Sequence, residues 1–549
     1  SWMVDAYEEV AGKSTKGVFT GKPLEFGGSL ARTEATGYGV NLTAKKALAK
    51  LNIDVKGATY AVQGFGNVGK FTVKNIMKLG GKVVAVVERI FAPDNRPTPA
   101  VAQADGVDYI VMPSWKVFMI QFLNIAGTGP IFGAIMGAKF GPAAYLWIVF
   151  GCIFAGAVHD YFCGMLSMRH GGSSLPELVG IYLGIPAKKI LLVFSIIVLL
   201  MVGTVFVYSP ALILGGMTAP AADAKTFHIM LWVGIIFIYY MLATMLPIDK
   251  IIGKIYPIFA FSLLFMAVAL GGYLLVKWPS LPEVWDMAST PNLDGEALFP
   301  CLCITIACGA VSGFHATQSP LMARCIKSEK SGRAIFYGAM ITEGIVALVW
   351  ASVSSYFFYD GGAAAVGSTM LAQAPEVVTA VSKGWLGIVG GILAILGVVA
   401  APITSGDTAF RSARLIIADF LKFNQRSIIN RLIVAAPLFV AAGFLLWFNI
   451  ADANGFNIIW RYFGWSNQTL AVFTLWTATV YLAREHKPYI MTLVPALFMT
   501  VVCTSFACYS DTMLNLGLTA SYCAGAFVFV VTTIWFFCWL KKYNAKSGR

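Results

Sequence analysis

The chain has 549 residues, 58% hydrophobic and only 12% charged, with a formal net charge of +13. That composition excludes an ordinary soluble protein, whose interior cannot hold so much apolar surface. The positive balance does not indicate nucleic acid. No compact basic patch with interleaved aromatics is present, and Lys and Arg gather in the cytoplasmic loops of membrane proteins.

Residues 1–89 stand apart. They have mixed composition and no membrane-length apolar run. They open SWMVDAYEEV, with neither a start methionine nor a signal peptide, as expected of a fragment or a processed chain. From Thr59 to Glu88, TYAVQGFGNVGKFTVKNIMKLGGKVVAVVE reads as strand, glycine turn, helix, strand. Gly64, Gly66 and Gly69 follow the first strand and open the helix, and Glu88 ends the second. Glycines so placed allow a tight turn and close approach of a pyrophosphate to a helix N-terminus, with an acid about 20 residues on for the ribose.

From residue 115 onward apolar runs recur, each long enough to cross ~30 Å of hydrocarbon. The short alternating strands of a β-barrel are absent. The expected fold class is therefore all-α and polytopic. Twelve spans are read near residues 116–138, 143–166, 190–214, 227–247, 253–276, 298–317, 334–358, 385–409, 430–448, 466–483, 489–509 and 518–540. Alternate loops then carry very unequal charge. One set, from Arg169 to the C-terminal lysines, holds twenty Lys and Arg; the other holds only Lys139, Lys225, Lys277, Lys383 and Arg461. This asymmetry places the N-terminal segment and the C-terminus in the cytoplasm. Eight of the ten cysteines, Cys152, Cys163, Cys301, Cys303, Cys308, Cys503, Cys508 and Cys523, fall inside apolar runs and are expected to act as small hydrophobes. Cys301-x-Cys303 with Cys308 is not a metal-ligand spacing, so neither a metal site nor a disulfide framework is expected.

Two spans are rich in helix-weakening residues. The first carries Asn124, Gly127, Gly129 and Pro130 at its middle; the sixth carries Gly309, Ser312, Gly313, His315, Gln318 and Pro320. Interrupted helices at matching places, five spans apart, suggest a 5+5 inverted repeat with a binding site between the halves. Unwound backbone is tolerated at membrane depth only where protein or a water-filled cavity satisfies it. The alternative is that these glycines simply allow close helix packing. Asn124, His315 and Gln318 favour a site, because close packing does not require them.

The eighth span ends Thr404-Ser405-Gly406-Asp407, a set able to hold a cation or pass a proton. The alternative is that the hydroxyls bond back to the preceding turn and Asp407 pairs with Arg411. His159-Asp160 in the second span and Glu343 in the seventh are the other intramembrane ionisable groups, a class that marks function or a satisfied structural donor. His228 and His486 lie at span ends.

Two resemblances follow from longer motifs. WMVDAY, GKPLEFGGSLARTEATGYGV (21–40) and the Gly64–Gly69 turn resemble an internal piece of glutamate dehydrogenase. This implies an NAD(P)-binding segment whose catalytic residues and remaining nucleotide domain are missing. No dehydrogenase activity, no productive NAD(P) binding and poor independent folding are expected. A join between two unrelated reading frames explains the change at Val87–Arg89, with a natural sensor domain as the alternative. Residues 90–549 resemble the carbon starvation protein A family through IFAPDNRPTPAVAQADGVDY, IAGTGPIFGAIMGA, FAGAVHDYFCGMLSMRHGG, ACGAVSGFHATQSPLMARC and TSGDTAFRSAR.

That second resemblance implies a leucine-transporter-like secondary transporter of the amino acid–polyamine–organocation superfamily, importing peptides or pyruvate with protons across the inner membrane. It places the coupling ion, H+ or Na+, between spans one and eight, near Thr404 and Ser405. The family has a further membrane helix ahead of the APDN segment, where this chain carries the dehydrogenase-like piece. The expected partners are a small organic or peptide substrate and the lipid bilayer. The sequence leaves oligomeric state open. A nutrient sensor that binds without transporting is the rival reading, and a membrane-tethered dehydrogenase a weaker one.

Overall fold

The computed structural model describes residues 32–50, 53–56, 58–62, 67–86, 93–106, 108–220, 222–246, 252–369, 373–425, 427–452 and 455–546. The chain divides into two compact units, Ser1–Asp94 and Asn95–Arg549, a few residues beyond the composition break near residue 89.

In the first unit, helix α1 (Arg32–Lys50) precedes strand β1 (Thr59–Val62), helix α2 (Asn67–Lys78) and strand β2 (Lys82–Val86). The strands pair in parallel, Thr59 opposite Lys82 and Val62 opposite Val86, with an irregularity between Tyr60 and Ala61. Helix α2 buries Val73 and Ile76, and the Asn41 amide of α1 donates to the Thr72 carbonyl (3.1 Å). Gly64, Gly66 and Glu88 lie outside the described residues; Gly69 falls in the first turn of α2.

The second unit is helical. Its elements are α3 (Ser114–Ile125), α4 (Ala134–Ala138), α5 (Ala143–Gly151), α6 (Ala157–Arg169), α7 (Leu175–Tyr182), α8 (Ile185–Thr218), α9 (Lys225–Met245), α10 (Ile252–Lys277), α11 (Leu298–Thr305), α12 (His315–Ala323), α13 (Gly338–Tyr359), α14 (Ala374–Leu421), α15 (Ile428–Ala451), α16 (Gly455–Arg484), α17 (Ile490–Tyr509) and α18 (Leu518–Lys546). Among the described residues eight helices are long and apolar enough to cross a membrane, or nine if the bent pair at the first span counts as one. Large apolar side chains such as Phe444 (63% exposed) and Trp535 (73%) face outward, which in a bilayer means toward lipid. Inside, α8 packs along α14, and Val198, Val202, Phe206, Ala409 and Ala413 form part of one buried cluster.

The sixth span is interrupted, as its glycines suggested: two short helices, α11 and α12, are joined by non-helical backbone. The eighth lies in the 48-residue α14, which starts with a Gln373–Glu376 capping box and is interrupted at Gly387 (φ +65). The sequence boundary at 385 marks that interruption rather than the start of the helix. All ten cysteines are free thiols; eight are buried, and Cys523 and Cys538 are exposed on the apolar helix α18.

Candidate functional site

The first span stops being α-helical after Ile125, and its two halves, Ser114–Ile125 and Gly129–Ala138, are bent 52° apart. The ladder ends where Ala126 N–H bonds the Phe122 carbonyl (2.9 Å) and restarts beyond Thr128. Phe132 N–H bonds the Thr128 carbonyl (2.7 Å), and residues Gly129–Gly133 form a single wide turn. In the sixth span Gly309 has φ +89, a conformation only glycine enters without strain. The chain resumes as α12 at His315.

The start of α12 is held from α16. The Asn467 Oδ1 atom accepts from Phe314 N–H (2.6 Å) and from Ser312 Oγ (3.2 Å). It takes the place of a local N-cap, one of the means by which orphan helix-start donors are satisfied.

The two breaks touch. A Cβ on Gly129 would overlap the Cys308 side chain, and one on Gly309 would come 2.6 Å from Ala347 Cβ. A Cβ on Gly313 would overlap the Asn467 carbonyl and the Ala471 amide. Close packing therefore explains these glycines, but it does not explain the polar atoms beside them. Asn124, fully buried, has no hydrogen-bond partner on either amide atom; nor do Thr128 Oγ1 and Gln318 Oε1. Gln318 Nε2 donates to Thr317 Oγ1 (2.9 Å) and, at 3.4 Å, to Ser412 Oγ.

At the eighth span one half of the structural alternative holds, the hydroxyls bonding back to the preceding turn, and the other half, an Asp407–Arg411 pair, does not. Thr404 Oγ1 bonds back to the Ala401 carbonyl (2.8 Å), the ordinary alternative. Ser405 Oγ also donates across to the Leu123 carbonyl (3.1 Å), so α14 is tied to α3 just ahead of the first break. A Cβ on Gly127 would sit 3.2 Å from that same Ser405 oxygen. Arg411 donates instead to the Ala243 and Leu246 carbonyls (2.7 and 2.9 Å). Asp407 Oδ2 accepts from Tyr256 O–H (2.8 Å), which sequence spacing did not reveal, while Asp407 Oδ1 has no partner.

His159 and Asp160 join the sixth span rather than the eighth. Asp160 accepts from both His159 Nδ1 (2.7 Å) and His315 Nδ1 (2.8 Å), and His315 Nε2 faces Glu343 Oε2 at 3.4 Å without hydrogen-bond geometry. All four side chains are fully buried.

The two ends of the unit differ. At the cation-poor end a cavity of about 820 Å³ reaches the second half of the first span, lined by Phe132, Met136, Trp460, Lys225, Glu376 and Lys383 among others. At the cation-rich end the segment ahead of α3 is laced into the fold. Ile110 N–H bonds the Arg324 carbonyl (3.3 Å) and Met112 N–H the Cys325 carbonyl (3.1 Å). The Asp108 carboxylate, 3% exposed as a residue, meets Arg414 Nη2 (3.3 Å) and Arg411 Nη1 (3.5 Å) of α14. Burial by itself would push the Asp108 carboxyl up, but the guanidinium groups of Arg414, Arg411 and Arg324 hold it below its usual value.

Comparison with known proteins supplies a family. The model of the carbon starvation protein CstA family matches residues 84–211, 204–386 and 382–507, and the Glutamate/Leucine/Phenylalanine/Valine dehydrogenase model matches residues 27–90. An uncharacterized membrane protein of Haemophilus influenzae is 48% identical over 319 residues, half of this chain and 86% of that protein. The pyruvate/proton symporter BtsT of Escherichia coli is 28% identical, over 75% of this chain and 76% of its own length. The peptide transporter CstA of Campylobacter jejuni is 27% identical over 74% of each. In fold the chain is similar to the Eremococcus coleocola manganese transporter (TM-score 0.50, 10% identity, 80% of this chain and 99% of that one).

Proposed function

The chain belongs to the carbon starvation protein CstA family, with a dehydrogenase-family segment at its N-terminus, and from that premise we propose that it is a proton-coupled importer of pyruvate or short peptides. Counting α14, α16 and the α11–α12 pair with the spans above gives twelve, arranged as a 5+5 inverted repeat plus two. Both ends of that membrane part lie in the cytoplasm, and the membrane is the inner one. The carrying observation is that the two breaks touch and that Asn124 and Thr128 beside the first, and Gln318 in the first turn after the second, keep polar atoms without a hydrogen-bond partner. A carboxylate or peptide group entering from the cavity would supply those partners. The substrate site is Asn124, Gly127 and Gly129 on one side and Gly309, Ser312, Gly313, His315 and Gln318 on the other.

Transport then proceeds by alternating access. An open cavity at one end and the Asp108–Arg411–Arg414 contact at the other support a state open to the cation-poor side. Coupling is assigned to Asp407, with Thr404 and Ser405 beside it and His159–Asp160 as a second polar pair. Asp407 is fully buried with one oxygen unpartnered, and Ser405, half a turn away, bonds the backbone just ahead of the first break. An ionisable group buried at membrane depth is costly to keep and marks an ion or proton path.

The test is uptake into proteoliposomes under an imposed pH gradient, with labelled pyruvate competed by dipeptides and by amino acids. Saturable, gradient-dependent accumulation is expected. Saturable binding without accumulation would instead mark a sensor and overturn the reading.

A further inference from the structure

We propose that Cys308, His315 and Glu343 form a binding site for one divalent transition-metal ion of the zinc type. Cys308 stands in the break of the sixth span, His315 opens α12 and Glu343 lies on α13. Their ligating atoms lie within 4.8 Å of one another, and Cys308 is 2% exposed, the other two 0%. Two ligands about 2.1 Å from a tetrahedral ion stand roughly 3.4 Å apart. His315 Nε2 and Glu343 Oε2 are 3.4 Å apart.

The surroundings point the same way. Asp160 accepts from His315 Nδ1, which leaves the Nε2 lone pair turned toward Glu343. This carboxylate–imidazole pairing is how proteins orient a metal-bound histidine. Neither Glu343 oxygen nor His315 Nε2 has a hydrogen-bond partner. A buried imidazole and a buried carboxylate therefore face each other at 3.4 Å without a formed hydrogen bond, an arrangement that a proton or a metal cation between them would satisfy. Beside the sulfur, Asn467 Nδ2 donates to Cys308 Sγ at 3.8 Å, a polar hydrogen of the kind that steadies a thiolate.

The charges also balance. A thiolate and a carboxylate neutralise a divalent ion, so the ion and its three ligands together carry no net charge at membrane depth, where net charge is costly, and the Asp160 carboxylate behind His315 favours the cation further. Binding releases the thiol proton of Cys308 to solvent. One sulfur, one nitrogen and one carboxylate oxygen select a borderline ion over calcium or magnesium, and leave a fourth position open. The loaded ion would fasten the break of the sixth span to α13.

The experiment uses the full chain purified in detergent, stripped with a chelator and titrated with zinc or cobalt. About one zinc per chain is expected after desalting, and the cobalt-loaded protein should show a thiolate-to-cobalt charge-transfer band. Cys308→Ser should abolish that band, and Glu343→Gln should weaken zinc retention by about ten-fold or more. Cys503→Ser, at a buried thiol on another helix, should leave both unchanged. Zinc should raise the unfolding midpoint of the wild type and not that of the two site variants, whose metal-free midpoints report whether they fold. The proposal is overturned if the folded wild type holds no stoichiometric zinc and shows no cobalt band, or if Cys308→Ser keeps the band. Because it is read by binding, its failure leaves the transporter reading standing.

Discussion

Replacing Asp108 by Asn tests whether the cation-rich end is fastened by charge. The substitution keeps the side-chain shape and removes the carboxylate that faces Arg414 at 3.3 Å and Arg411 at 3.5 Å. Removing one partner of a buried ion pair costs ~3–5 kcal/mol, because the remaining charge is left uncompensated. The low end, ~3 kcal/mol, applies here. Both contacts are long, Arg411 keeps the Ala243 and Leu246 carbonyls, and Arg414 keeps Gln425 Oε1 at 2.8 Å.

Measured by tryptophan fluorescence in detergent at neutral pH, the unfolding midpoint should fall by several degrees. The Asp108 carboxyl is held below its value in the unfolded chain, about 3.9. Its stabilisation is therefore complete above that value and is lost as pH falls through the lower folded value. The gap between wild type and variant should stay constant from about pH 5 to 8 and close in acid below about pH 4. An absent gap at neutral pH, or one that widens on acidification, refutes the reasoning.

Three further outcomes are expected. Gly313→Ala pushes a methyl into the Asn467 carbonyl and the Ala471 amide, backbone atoms that cannot step aside. Overpacking of this kind costs ~1–3 kcal/mol, and the midpoint and the uptake rate should fall together. Asn467→Ala leaves Phe314 N–H and Ser312 without their acceptor, a loss of ~1–3 kcal/mol that should appear as faster amide exchange at the start of α12. Asp407→Asn retains an acceptor for Tyr256 O–H but carries no exchangeable carboxyl proton. Counterflow of preloaded substrate should persist while accumulation under a pH gradient is lost, and undiminished accumulation would remove Asp407 from the coupling site.

The interruptions in the first and sixth spans were legible because glycine and proline act on the backbone of their own residue. What lies across the bundle was not. Asn467 stands 155 positions from Ser312 and Tyr256 151 positions from Asp407, separations that no local spacing encodes. Local rules also ranked the wrong neighbour for Asp407, since Arg411 four residues on finds the end of α9 instead. Cys308, His315 and Glu343 show the same limit. The sequence scan for metal ligands looked for short cysteine spacings, whereas the sixth and seventh spans bring these three together from separate segments. The expected start of the eighth span, at 385, falls at the kink of Gly387, while its helix runs on past the expected end at 409 to Leu421 because the polar residues there are buried inside the bundle.

The parallel pair β1–β2 has one further consequence. Among the described residues each strand has a neighbour on one side only, so both rims carry backbone amides and carbonyls pointing sideways. Such a ribbon is a template: any extended peptide that reaches it can be stitched on as a third strand.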